Sequence, residues 1–270
     1  MRKHILITGA SSGLGRGMAR EFARAGSDLA LCARRLDRLE ALKAELEAAH
    51  PGIRVAIRSL DVTDHVQVFA VFRSLRAELG ALDRVIVNAG IGQGAPVGKG
   101  QFALNRSIVE TNFLAALAQC EAAMEIFREA GLGHLVLISS MSAMRGMRGG
   151  LTAYAASKAG VASLAEGIRT DMLRKPSIKV STIFPGYIRT EMNEQAPAKQ
   201  TPYIIDEATG CRLLVRAIDR ESAKAYVPWW PWALLGWLMK RLPLSWVMRT
   251  VSGLSGASSV SPMMATRSAA

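Results

Sequence analysis

Tyr154 and Lys158 stand four residues apart in the stretch YAASK. On a helix this spacing sets two side chains on one face, one turn apart. A free tyrosine hydroxyl has a pKa of about 10, too high for proton exchange near neutrality. A neighbouring ammonium stabilises the phenolate and lowers that value, so the pair could serve as a tuned general acid/base. Ordinary exposed helix faces carry the same spacing, and it is the company of the pair that gives it weight. Ser140 offers a hydroxyl at the end of an apolar run. Asn112 lies inside the apolar stretch ETNFLAALAQCEAAM, where a buried amide must find hydrogen-bond partners. Asn112, Ser140, Tyr154 and Lys158 are the candidate catalytic set.

Nearer the N-terminus, TGASSGLG (residues 8–15) spaces its glycines GxxxGxG, not GxGxxG. Gly9 suits a tight turn. Gly13 and Gly15 let backbone approach a phosphate and let a helix pack closely. A helix beginning near Gly13 would turn free N–H groups and a positive dipole end toward a pyrophosphate. Gly9, Ser11, Ser12, Gly13, Leu14 and Gly15 are therefore candidate cofactor contacts, set against the plainer reading of a glycine turn. After the next apolar run comes CARR. Dinucleotide folds that prefer NAD place an acid there for the ribose hydroxyls, whereas arginine suits the 2′-phosphate of NADP. The local sequence offers Arg34 and Arg35 and no acid, and two cations at a helix N-terminus are unfavourable without an anion to bind. This points to NADP(H). Asp61 could accept from an adenine amino group, with Val62 packed on the ring. It could equally cap a helix, with Thr63 and Asp64 as rivals.

These residues need a frame. Short branched apolar runs recur at 5–7, 29–32, 55–57, 85–87, 135–138 and 180–184, as in strands buried on both faces. Between them lie helical patterns. One puts Leu36, Leu39, Leu42 and Leu46 on a single face; another does so with Val68, Phe72, Leu75 and Leu79. Such alternation implies an α/β fold, a Rossmann-type doubly wound parallel sheet in three αβα layers. Ligands of such sheets bind beyond the carboxyl ends of the strands. Each of the six runs is followed there by Gly, Ser, Asn, Asp, Pro or Arg, as a long ligand lying across the sheet edge would require.

The 270 residues carry a net charge of +12 and are 50% hydrophobic, enough for one large domain with a full core. No helix-turn-helix, zinc-finger or RNA-binding motif accompanies the charge, so nucleic acid is not an expected partner. The basic residues are dispersed, as on a solvated surface. Cys32, Cys120 and Cys211 form no metal or redox spacing, and the four histidines no ligand spacing. We expect no metal site and a reducing, cytoplasmic setting. The opening MRKHILITGA reads as a strand, not a signal peptide.

In family order and spacing, Thr8-Gly9-x-x-x-Gly13-x-Gly15, Asn88-Ala89-Gly90, Asn112, Ser140, Tyr154-x-x-x-Lys158 and Pro185-Gly186 resemble the classical short-chain dehydrogenases/reductases. The resemblance runs from residue 4 to about 226. It implies hydride transfer between NADP(H) and a carbonyl or alcohol, with Tyr154 handling the proton and Ser140 orienting the substrate oxygen. It implies that Lys158 lowers the tyrosine pKa and holds the nicotinamide ribose, while Asn112 kinks its helix and keeps a water linked to Lys158. It also implies cofactor contacts at Asn88, Ala89, Gly90, Pro185, Gly186, Ile188 (backbone to the carboxamide) and Thr190 (to the phosphates). Arg34 and Arg35 match the NADP-selecting pair, residues 191–208 a mobile substrate lid, and the assembly a homodimer or homotetramer. Val87 departs from the usual Asn-Asn-Ala-Gly. A non-enzymatic NADP-binding sensor or scaffold on the same fold is the alternative.

The domain is expected to span 1–226, with a tryptophan-rich apolar extension at 227–270 ending in a flexible terminus. AYVP reads as an edge strand running into it. The stretch 227–242 holds four of the five tryptophans, and no Asp or Glu follows Val227. Its apolar run of 13 residues would extend roughly 20 Å as a helix, short of the ~30 Å hydrocarbon core. It suits a peripheral membrane contact, a subunit contact or the rim of an apolar substrate pocket.

Overall fold

The computed structural model describes residues 2–193 and 203–247. Six strands form where the branched apolar runs fall: β1 (His4–Thr8), β2 (Asp28–Ala33), β3 (Val55–Ser59), β4 (Arg84–Val87), β5 (Gly133–Ile138) and β6 (Ile178–Pro185). The predicted edge strand is β7 (Lys224–Val227). They pair in the order β3-β2-β1-β4-β5-β6-β7, every pairing parallel.

Successive strand residues feed opposite layers, as the period of two demands. Leu6, Ala30, Val85 and Leu135 join α3 (His65–Leu79), α5 (Ala115–Ala130) and α6 (Thr152–Asp171) in one apolar layer. Ile5, Ile7, Leu29, Leu31 and Val136 join α1 (Gly13–Arg24), α2 (Leu36–Ala49) and α7 (Glu207–Asp219) in the other. The predicted helix faces are buried, except that Leu36, in the first turn of α2, is exposed. A third, smaller cluster brings Met141, Met144 and Phe184 against Trp232 of α8 (Trp229–Arg241).

α4 (Phe102–Val109) runs into α5 through a π-helical turn, Glu110–Leu114, with Asn112 at its centre. Half of the proposed lid at 191–208 (194–202), and the whole of the proposed flexible terminus, lie outside the described residues.

Candidate active site

The strand order reverses between β1 and β4. A cleft of about 710 Å³ opens there, over the carboxyl ends of the strands. Its floor begins with the TGASSGLG loop. Gly9 has φ +65°, and a Cβ there would lie 2.9 Å from Ala89 Cα. A Cβ at Gly15 would strike the Gly9 carbonyl. Gly15 therefore sits behind the cleft and serves close packing, while Gly9, Ser11, Ser12, Gly13 and Leu14 line it. Thr8 Oγ1 accepts from Asn88 N (3.0 Å) and Ala89 N (3.1 Å), and Asn88 Nδ2 donates to Thr8 O (2.9 Å), tying the ends of β1 and β4 together.

The N-terminus of α1 opens on the cleft without a side-chain cap. Asp64 caps α3 by accepting from Gln67 N, and Asp206 caps α7 by accepting from Thr209 N. Ser12, at the same position of α1, makes no side-chain cap. The first-turn N–H groups of α1 are left to a ligand. Above them, Arg35 Nη2 donates to Ser12 Oγ (2.8 Å) and Ser11 Oγ (3.1 Å), which holds its guanidinium over the loop. The rivalry over capping is thereby decided. Asp64 is the cap, and Asp61 accepts from Thr63 N (3.0 Å) and Oγ1 (2.8 Å) at the cleft wall. That backbone hydrogen bond is the largest influence holding the Asp61 carboxyl below its ordinary pKa, with Arg34 adding to it.

The cleft does contain an acid that the stretch after β2 lacks. Glu191, from beyond β6, lines it and pairs with Arg38 (2.9 Å) and Arg16 (3.6 Å). Those pairings, the Arg38 hydrogen bond first, pull the Glu191 pKa down. Its charge is thus spent on Arg16 and Arg38, and the guanidinium of Arg35 keeps its two serine contacts.

At the other end stand Ser140, Tyr154 and Lys158. Ser140 and Tyr154 line the cleft together, and Ser140 Oγ accepts from Ser142 N (3.2 Å) and Ser142 Oγ (2.9 Å). Lys158 is buried, its Nζ donating to Ile138 O (2.9 Å) and lying 5.9 Å from the Tyr154 ring centroid. Burial pushes the ammonium down to about 8. The tyrosine moves the opposite way from the expectation: burial raises its pKa, and the neighbouring Ser140 side chain only partly offsets this.

Asn112 does not line the cleft. Its side chain accepts from Ile91 N (2.8 Å) and donates to Ile91 O (2.8 Å) and Ser157 Oγ (3.3 Å). The π turn directs that amide at the 88–91 segment, as π turns at functional sites often do. A Cβ at Gly90 would meet Asn112 Oδ1 at 3.0 Å and Lys158 Nζ at 3.4 Å, so the three lie together.

Pro185, Gly186, Ile188 and Thr190 line the cleft after β6. Thr190 lies against Gly13 through its Cβ and Cγ2. The Ile188 carbonyl accepts from Asn193 Nδ2 (2.8 Å). Trp232 is packed over Gly186 and meets Tyr187 edge to face at 5.5 Å. Its buried indole N–H has no hydrogen-bond partner among the described residues. Arg34, Val62, Asn88, Ala89 and Gly90 also line the cleft, as predicted. Glu110 and Thr111 of the π turn, Ile91, Glu191 and Met192 line it without having been singled out in the sequence. The neighbourhood of Asn112 was the available signal for the first two; Glu191 carried none.

The cleft suits a nicotinamide dinucleotide: an uncapped helix N-terminus at its middle, fixed arginine at one end, Tyr154 beside the buried Lys158 at the other. The family model for short chain dehydrogenase matches residues 3–201. An uncharacterized oxidoreductase of Mycobacterium tuberculosis (strain H37Rv) is 54% identical over 242 residues, covering 90% of this chain and 94% of that protein. Another, from Myxococcus xanthus, is 37% identical over 224 residues, 83% of this chain and 87% of its own. Among solved structures, the alcohol dehydrogenase of the archaeon Thermococcus sibiricus, complexed with 5-hydroxy-NADP, superposes with a TM-score of 0.72. It is 26% identical, over 83% of this chain and 94% of its own.

Proposed function

The chain belongs to the short-chain dehydrogenase family, and on that premise we propose that it is an NADPH-dependent reductase of apolar carbonyl compounds. The observation that carries this reading is one cleft that holds both the Arg35 guanidinium above an uncapped helix N-terminus and the Ser140–Tyr154 pair. When bound, NADPH supplies the hydride. The chain's own residues supply position and the proton. Tyr154 keeps its hydroxyl proton at neutral pH, since its pKa is raised, and gives it to the substrate oxygen. Ser140 donates to that same oxygen and orients it. Lys158, fixed on Ile138 O, keeps a positive charge behind the tyrosine below pH about 8. Asn112 acts through the Ile91 backbone to hold the cleft wall. Arg35, assisted through space by Arg34, selects the 2′-phosphate.

An apolar substrate is favoured by Ile91 and Met192, which line the cleft. The three cysteines are free and buried, which supports a reducing, cytoplasmic setting. Phe102, Leu104, Val109 and Leu114 are exposed on α4 and the π turn, which supports a homodimer through that face; sedimentation velocity would test it. A panel of ketones, aldehydes and 3-oxoacyl compounds with NADPH oxidation as readout tests the reaction. Tyr154→Phe should abolish nearly all turnover with NADPH binding intact. Turnover at the native rate would overturn the role of Tyr154. Silence across the panel beside tight NADPH binding would favour a non-enzymatic sensor.

A further inference from the structure

A surface helix ordinarily buries one stripe and solvates the other with charge. α8 does not. Its inner face holds Trp232 and Gly236, buried against Met141, Met144 and Tyr226. Its outer face carries Leu234, Trp237, Leu238 and Arg241, spaced i, i+3, i+4, i+7. Trp237 is 52% exposed, and at the entry to the helix Trp229 and Trp230 are 71% and 63% exposed. Three exposed indoles alone present roughly 300–450 Å² of surface, before Leu234 and Leu244 are added. Apolar area of that order is the size of the largest patch on a monomer, which is often functional.

We propose that the outer face of α8 docks on an anionic lipid bilayer. The charge pattern selects this occupant. Lys240 and Arg241 close the face, and the Arg241 guanidinium lies 5.1 Å from the Trp237 ring centroid. No Asp or Glu occurs from Val227 onward. Glu166, the acid bordering Lys240, is already paired with Lys224 at 3.0 Å. Indole beside cation is the composition that settles at the headgroup boundary, where rings lie among acyl chains and cations meet phosphates. A two-fold contact with its axis along the helix would oppose Lys240 and Arg241 to their own copies; an antiparallel second copy is the occupant that the test must separate from lipid. No helix among the described residues is long and apolar enough to cross a membrane, so α8 lies on the surface. Its inner face packs over Gly186 and beside the turn that follows Ser140. Docking itself does not depend on the reductase reading; only the delivery of an apolar carbonyl compound from lipid does.

The test is flotation of the full-length protein, without cofactor, on phosphatidylcholine vesicles and on the same vesicles carrying phosphatidylglycerol. Two surface cations should raise partitioning onto the anionic vesicles by about thirtyfold. Brominated acyl chains should quench the tryptophan fluorescence. Replacing Trp229, Trp230 and Trp237 together by serine should abolish flotation while NADPH binding, the check on folding, persists. A milder variant, Lys240→Gln with Arg241→Gln, should lose only the anionic preference. Absence of flotation on anionic vesicles overturns the proposal, as does unchanged flotation of both variants. A fall in sedimentation mass of the serine variant, without vesicles, assigns the face to a second copy and equally overturns it.

Discussion

Arg35→Ala should weaken NADPH binding by about thirtyfold and leave NADH binding within about twofold. Arg35 is the better-placed of the two arginines after β2. Its Nη2 lies 2.8 Å from Ser12 Oγ and 3.1 Å from Ser11 Oγ, with Nε 3.3 Å from Ser11 Oγ. Those contacts fix the guanidinium plane before a ligand arrives, so little side-chain freedom remains to be lost on binding. A hydrogen bond to a charged group contributes about 1.5–3 kcal/mol. Arg35 is exposed, so the lower part of that range applies. About 2 kcal/mol corresponds to about thirtyfold in Kd. Arg34→Ala should cost only about threefold, since Arg34 acts through space, as it does on Asp61. Arg35→Lys should fall between, retaining charge without the planar fork. The assay is titration of tryptophan fluorescence with each cofactor at two salt concentrations; the NADPH loss should shrink at high salt. Equal losses for NADPH and NADH would place Arg35 on a group the two share. A larger loss from Arg34 than from Arg35 would refute the reasoning from the serine contacts.

Three further outcomes are expected. The kcat/KM for carbonyl reduction should be flat through neutrality and fall above about pH 8, where Lys158 loses its proton, while Tyr154, with its raised pKa, stays protonated; a flat profile to pH 10 would sink this. Glu191→Gln should tighten NADPH about threefold and leave NADH unchanged, because it frees Arg16 and Arg38 beside the arginine cluster; isothermal titration reads the two cofactors separately, and a loss of NADPH affinity would contradict it. His134 is buried, its Nδ1 accepting from Arg84 Nε (2.9 Å), with burial pushing its pKa down to about 3. A base depressed in the folded state loses stability as pH falls below its unfolded pKa of about 6.5, by about 2 kcal/mol between pH 7 and pH 5. His134→Gln should remove that slope in urea melts, whatever it does to stability at pH 7; an unchanged slope would show that other groups cause it.

The parts of this protein legible in its sequence are those set by local pattern. Branched apolar runs of the right length can only be buried strands, and alternation with amphipathic stretches allows a parallel, doubly wound sheet and little else. The turn chemistry of Gly9, the i, i+4 spacing of Tyr154 and Lys158, and the paired Arg34 and Arg35 are likewise written in neighbouring residues. What tertiary structure alone decided is the surroundings those residues meet. Glu191 reaches Arg16 and Arg38 across more than 150 positions of chain, so no window on the sequence contains the pair. Lys158 was expected to lower the tyrosine, yet its ammonium is drawn to Ile138 O and both groups are governed by burial; desolvation belongs to the packed fold, not to a spacing. Asn112 was visible as a polar residue on an apolar helix, but its partner Ile91 and the π turn that aims it were not. The tryptophans show the division most plainly. Composition marked the cluster, but only the packed fold shows that Trp232 turns inward over Gly186, where a Cβ would strike it, while Trp229, Trp230 and Trp237 stay exposed.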